Sequence, residues 1–234
     1  MSGPINNWSF SKLLSYEGCP MRVKLKYIDR IPEPERDPNN DPLLRGSNIH
    51  DNLERFIKGE GTLDGNQAKA LDNFVPMLEH LQELYAIGKA HAEDDWLYDD
   101  EWQPCSKQGY WLWVKLDYFV KDEELKLLVV GDWKSGKSGY KTIEHIQQTQ
   151  LYAATAALRY PWADEIVTEI PYVDEGKLMQ HTYSRDQALS FISRFENRAQ
   201  RMLNDTMFRP NPNKVTCKWC PYSPRGNGAC PVGV

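Results

Sequence analysis

The stretch Leu127-Leu128-Val129-Val130-Gly131-Asp132-Trp133-Lys134-Ser135-Gly136-Lys137-Ser138 governs how the rest of this chain is read. Its first half is an aliphatic, partly β-branched run, the pattern of a buried strand. The run ends in an acid and a lysine two positions apart, Asp132 and Lys134. Side chains of a strand alternate faces, so these two are predicted to project to the same side. A carboxylate beside an amine at the end of a rigid strand can hold a metal ion and a polarising cation next to each other. The same letters satisfy a competing pattern: Gly131 and Gly136-Lys137-Ser138 fit G-x-x-x-x-G-K-[ST], the phosphate loop of nucleotide triphosphatases.

The flanking sequence separates the two readings. Upstream, Tyr110 to Val120 has period two, with Leu112, Val114, Leu116, Tyr118 and Val120 on one face and Trp111, Trp113, Lys115, Asp117 and Phe119 on the other. The polar turn Lys121-Asp122-Glu123-Glu124 returns the chain into the central strand, so an antiparallel hairpin is expected. Downstream, the apolar helical pattern resumes only near Ile143 and runs to Arg159, too late for a helix that starts on the phosphate-loop lysine. Strands are predicted at Glu165 to Val173 and Lys177 to Tyr183, about a turn at Asp174-Glu175-Gly176. Ser184 and Gln187 form a capping box for a last long helix ending near Asn204.

Toward the amino terminus, Ser9 caps a short helix that runs into Cys19-Pro20, followed by helical Met21 to Ile28. Pro32, Pro34, Pro38 and Pro42 exclude regular structure between Ile31 and Pro42. A helical pattern from Leu43 stops at Gly59 and Gly61, and an amphipathic segment from Asn66 to Lys89 is expected to bend at Pro76. The acidic run Glu93, Asp94, Asp95, Asp99, Asp100 and Glu101 reads as a solvated loop. At 234 residues, with 41% hydrophobic and 26% charged residues, the chain suits one soluble globular domain over 1–234. No run approaches the ~20 apolar residues of a membrane span, and Met1 to Trp8 lacks the pattern of a secretory signal, so a cytoplasmic, reducing location is expected. The net charge of -5 excludes a chain coated for nucleic-acid binding; contact with nucleic acid would have to be local.

Several groups could converge on Lys134. Asp117, on the paired strand, can lie across from Asp132, and His50 follows in Gly46-x-x-x-His50. Two carboxylates and an imidazole suit Mg²⁺ or Mn²⁺. Gln148 and Tyr152 fall one helical turn apart and could reach the same pocket. In this order, Gly46-x-x-x-His50, Asp117, Asp132-Trp133-Lys134 and Gln148-x-x-x-Tyr152 resemble the PD-(D/E)XK nuclease superfamily, and within it the RecB-like exonuclease branch. Two positions depart from the pattern: Leu116 replaces the proline, and the second acid is Asp132, not glutamate. The resemblance implies a restriction-endonuclease-like α/β core with a mixed central sheet flanked by helices, 43–90 being a helical insertion. It also implies metal ligation by His50, Asp117, Asp132 and the backbone carbonyl of Trp133, with Lys134 catalytic and Gln148 and Tyr152 supporting the site. The implied activity is metal-dependent DNA exonucleolysis at single-stranded ends, leaving 5′-phosphates, in recombination, repair, or phage or CRISPR DNA processing. A helicase or recombination or integration proteins would be separate partners.

Cys217-x-x-Cys220 followed by Cys230-Pro231 has metal-ligand spacing, and a fourth thiolate is needed to close a site. Cys105 is available, but Cys19, in Tyr16-x-x-Cys19-Pro20, resembles the first ligand of the [4Fe-4S] cluster in CRISPR-associated members of the branch. Such a cluster would close a loop of roughly 200 residues and order the aperiodic tail, 207–234. Zinc remains the alternative, since spacing does not separate the two. Cys105 is read as a spare thiol. Two further features have both a functional and a bland reading: Trp111 and Trp113 could stack on bases or pack in the core, and Arg194, Arg198 and Arg201 could meet phosphates or solvent. A non-cleaving DNA-binding or scaffold subunit also stays open.

Overall fold

The structure is a computed structural model that describes residues 3–35, 42–63, 71–136 and 138–234. Its helices are α1 (Phe10–Gly18), α2 (Pro20–Val23), α3 (Pro42–Ile57), α4 (Val75–Ala86), α5 (Thr142–Arg159), α6 (Arg185–Ser190), α7 (Ile192–Leu203) and α8 (Lys214–Lys218). The strands are β1 (Ala90–Tyr98), β2 (Leu112–Asp122), β3 (Leu127–Gly131), β4 (Glu165–Tyr172) and β5 (Lys177–Ser184), and they form one five-stranded sheet in sequence order. β1–β2, β2–β3 and β4–β5 are antiparallel, whereas β3 and β4 are parallel and joined through α5. A parallel pair needs such a crossover, because the chain must return to the same end of the sheet. The mixed sheet flanked by helices is the expected architecture.

The sheet is covered on both faces. Leu128 and Val130 of β3 join one apolar cluster, with Leu13 of α1, Leu151 of α5 and Phe195 of α7. Val129 packs against the other, which holds Leu53 and Ile57 of α3 with Leu78 and Leu81 of α4. Burial on both sides explains why β3 is aliphatic throughout. Gly131 ends the strand because the Tyr118 ring crosses it; any Cβ there would collide with that ring. This packing explains the glycine without a phosphate loop. A 3-10 turn at Gly139–Lys141 precedes α5, which starts only at Thr142, so the α-helix begins later than that motif requires. Lys137 lies outside the described residues.

Four local expectations are corrected. The acidic run is not a loop over Glu93 to Asp95: these residues lie in β1, an edge strand paired with β2 over Ala90 to Tyr98. Its small and apolar residues, Ala90, Ala92, Trp96 and Tyr98, are buried, and that alternation outweighs the charges between them. Pro76 does not bend a helix; it stands in the first turn of α4, where its missing N–H costs nothing, while 64–70 lie outside the described residues. The last helix is interrupted at Phe191, so the Ser184–Gln187 capping box starts the short α6.

The fourth correction concerns β2. Leu112, Val114 and Leu116 enter the cluster on the α5 side, but Tyr118 and Val120 enter the α3 side, and Phe119 takes their place in the first. The alternation therefore reverses at Asp117. Opposite it, Glu93 has φ 50° and falls out of the otherwise regular β1–β2 ladder. A left-handed residue in an edge strand breaks the pleat and re-aims side chains on both strands.

Among the described residues, no helix is long and apolar enough to cross a membrane. The tail is ordered by contacts with the amino-terminal elements. Tyr222 is fully buried with its hydroxyl on Ile31 O (3.1 Å), Asn227 Nδ2 donates to Pro32 O (2.8 Å), and Asn211 N donates to Cys19 Sγ (3.4 Å).

Candidate active site

Antiparallel register brings the two acids together. Tyr118 pairs with Gly131, so Asp117 stands beside the continuation of β3 at Asp132. Both carboxylates are buried, at 7% and 6% exposure, and each has its own set of donors. Asp117 Oδ2 accepts from the Trp133 backbone N–H at 2.6 Å, and Asp117 Oδ1 lies 2.9 Å from His50 Nδ1. Asp132 Oδ1 accepts from the Tyr152 hydroxyl at 2.7 Å and from Gln148 Nε2 at 3.1 Å. Asp132 Oδ2 takes no aligned hydrogen bond but stands in ion-pair contact with Lys134 Nζ.

Each contributing element is held in place by its own chemistry. α3 approaches the loop after β3 closely at Gly46, where a Cβ would lie 3.1 Å from Ser135 Oγ, and one helical turn later His50 reaches Asp117. Beyond β3 the backbone stays locked to β4: Lys134 N donates to Pro171 O (3.0 Å) and Val173 N to Lys134 O (2.9 Å). On α5, Gln148 Nε2 and the Tyr152 hydroxyl are 2.5 Å apart, and that hydroxyl also lies 3.2 Å from Lys115 O. The Trp133 indole is buried between Phe74 and Tyr118, so this residue serves the core by its ring and Asp117 by its backbone.

The electrostatics follow from burial. Desolvation, reinforced by the neighbouring Asp132 charge, pushes the Asp117 carboxyl up to about 6, against the pull of His50. Burial acts to lower the His50 imidazole, but the hydrogen bond to Asp117 and its charge raise it above the ordinary value on balance. Burial beside Asp132 and Asp117 keeps Tyr152 a neutral phenol far above the usual range. Burial and the Lys134 charge push His145 down to about 4, and its Nδ1 lies 2.8 Å from the Tyr172 hydroxyl.

His50, Asp117, Asp132, Lys134, Gln148 and Tyr152 all line one open cleft of ≈ 700 Å³. The sequence reading did not place Glu93 or His145 at this site. Glu93 brings a carboxylate oxygen into one group with His50 and Asp117, whose ligand atoms all lie within 4.8 Å of one another. It also pairs with Lys115 Nζ at 2.6 Å. The period-two pattern of Ala90, Ala92, Trp96 and Tyr98 could have put it on a strand opposite Asp117. His145, on α5 one turn before Gln148 and Thr149, left no such signal.

Elsewhere, Cys19, Cys217, Cys220 and Cys230 line a single cavity of ≈ 20 Å³ together with Arg22; Cys105 does not. No three of these sulfurs fall within 4.8 Å of one another among the described residues. Trp111 is buried edge-on against Trp8 and Trp102, whereas Trp113 is 40% exposed. Arg198 is occupied by Glu17, with two hydrogen bonds of 2.7 Å, so it ties α7 to α1 instead of facing a phosphate. Arg194 donates to Gln150 at 3.1 Å.

The model of the PD-(D/E)XK nuclease superfamily matches residues 7–225. The chain belongs to this superfamily. The match contains every element of the cleft, from α1 to β4. Solved structures similar to this PD-(D/E)XK chain include that of SSO0001, at 16% identity and a TM-score of 0.47, covering 98% of this chain and 88% of that one. Another is a protein from Eubacterium rectale described as a candidate exonuclease, at 11% identity and a TM-score of 0.48, covering 85% and 80%. No curated protein matches the chain. Membership makes this chain a nuclease-superfamily hydrolase.

Proposed function

We propose that this chain is a metal-dependent DNA exonuclease of the RecB-like branch, hydrolysing phosphodiester bonds at single-stranded ends and leaving 5′-phosphates. One observation carries the reading: two buried carboxylates with separate donors, Lys134 paired to one and His50 and Glu93 gathered at the other. Buried acids are costly, and a cation is the group that would offset them.

The donor set fits Mg²⁺ or Mn²⁺, being carboxylate oxygens with one imidazole. His50, Asp117 and Glu93 would hold the ion, with Asp132 and the Trp133 carbonyl completing the set. When bound, it supplies charge at the phosphoryl oxygens and acidifies a water molecule. Tyr152 and Gln148 hold Asp132 Oδ1, which fixes the direction of the carboxylate's other oxygen. Lys134 stands at that oxygen, where its ammonium can orient the attacking water and offset phosphate charge. Tyr152, a neutral phenol, positions and does not exchange protons. His145, neutral above about pH 4, adds no competing charge beside Lys134.

The deciding experiment is degradation of end-labelled single-stranded DNA with Mn²⁺ or Mg²⁺ by the native chain and by Lys134→Ala. We expect the variant to lose at least 100-fold in rate while still binding DNA. Absence of cutting by both proteins, with binding intact, would replace this reading with that of a scaffold subunit.

We assign the four cysteines, which line one cavity, to a [4Fe-4S] cluster, with zinc as the alternative. A [4Fe-4S] cluster there would join the tail, 207–234, to Cys19 and thereby to α1. Anaerobically purified protein should show its visible absorption and iron content; a colourless sample with stoichiometric zinc would overturn the assignment.

A further inference from the structure

The cleft does not end at the acids. At Ser9, Ser11 and Trp113 it adjoins a second groove of ≈ 390 Å³, whose walls include Asn7, Lys12, Tyr27 and Tyr110. Two large aromatics are exposed there, Trp113 and Tyr27, each at 40%, in a protein that buries most of its other tryptophans. Neither is loose. Trp113 Nε1 donates to Asp95 Oδ1 at 2.8 Å, which fixes the indole by its edge. Lys12 Nζ lies 4.5 Å from the Tyr27 ring centroid and donates to Asn7 O at 3.1 Å, so it secures the wall of the groove.

We propose that this groove is the track for an unpaired DNA strand whose end lies at Asp117 and Asp132, with a base stacked on Trp113. The inference rests on the nuclease reading and names how its substrate is held. Trp113 lies on β2 only four residues before Asp117, so a base on the indole belongs to the same strand that enters the cleft. Asp95 stands at the edge of Trp113, and the net charge of the chain is -5. Duplex binding depends on many cations meeting phosphates, and Lys12, already bound to Asn7, is the one cation among the described residues that line this groove. Stacking on an aromatic face needs no such cations, but it does need an unpaired base. The chemistry therefore selects single strands by their bases.

Binding is measured in EDTA, where no chemistry occurs, by fluorescence anisotropy of labelled oligodeoxythymidylate, an equally long abasic strand and a duplex. Trp113→Ala should weaken oligodeoxythymidylate binding about tenfold, and Trp113→Phe should recover most of it. Neither variant should alter binding of the abasic strand. Trp219→Ala, at a residue 74% exposed in the tail, controls for the loss of an arbitrary tryptophan. Equal affinities for native protein and Trp113→Ala, or equal losses on normal and abasic strands, would overturn the proposal. Cutting by the native chain in Mn²⁺ is scored separately, so a failed nuclease reading and a failed groove are distinguishable.

Discussion

The two faces of the sheet do different work at the cleft. The α5 face contributes Tyr152 and Gln148, which donate to Asp132. The α3 face contributes His50, which shares Asp117 with a backbone N–H. Asp132 is thus held by uncharged donors at Oδ1 and by Lys134 at Oδ2, whereas Asp117 is pushed up to about 6 by burial and the Asp132 charge, against the pull of His50. Equal burial does not give two acids equal chemistry; the elements packed over each one decide it.

Four experiments bear on that contrast, and the largest effect is expected where both faces depend on one atom. Gly131→Ala forces the Tyr118 ring aside, and that ring holds Glu169 through its hydroxyl at 2.8 Å. We expect a loss of about 3 kcal/mol, read by denaturant unfolding. Retention of native stability would mean that β2 and β3 are less closely packed than described.

The next effect has the opposite sign. An acid raised when folded binds protons more tightly than in the unfolded chain, so its contribution to stability falls as pH rises. For Asp117 that decline runs between about 4 and about 6. Asp117→Asn removes the charge and should stabilise the metal-free protein by roughly 1–2 kcal/mol at pH 8 and by much less at pH 4. Unfolding curves at both values test it. Asp132→Asn, with its donors to Oδ1 in place, is the comparison that would expose a general effect of removing an acid.

Glu93→Gln should weaken Mn²⁺ binding about tenfold, measured by the electron paramagnetic resonance of free Mn²⁺. An unchanged affinity would leave Glu93 as the partner of Lys115 alone. The smallest effect is expected far from the acids. Arg198→Ala removes the pair with Glu17, which is 37% exposed, and should cost no more than about 1 kcal/mol, with no change in Mn²⁺ affinity.

Much of this was legible in the chain. The aliphatic run of β3 is a strand because both its faces are buried, and Asp132 and Lys134 follow from its end. His50, Asp117, Gln148 and Tyr152 were named from order and spacing, and the structure brings all four to one cleft. Glu93 was hidden because a run of acids looks like a solvated loop, and only the left-handed break in β1 opposite Asp117 brings it to the cleft. Arg198 was ambiguous because helical spacing reports a face but not what covers it.

By itself the sequence determined the local elements and their order: period two for β2, helical period for α3 and α5, and Ser9 and Ser184 at the caps of α1 and α6. It also carried Asp117, Asp132 and Lys134, on which the resemblance to the superfamily rests. Tertiary structure alone decided the reversal of alternation at Asp117, the entry of Glu93, and which tryptophan faces the groove. The physical reason is that periodicity is a property of one segment, whereas burial of a charge, a broken pleat and a raised carboxyl are properties of what several segments place around one atom.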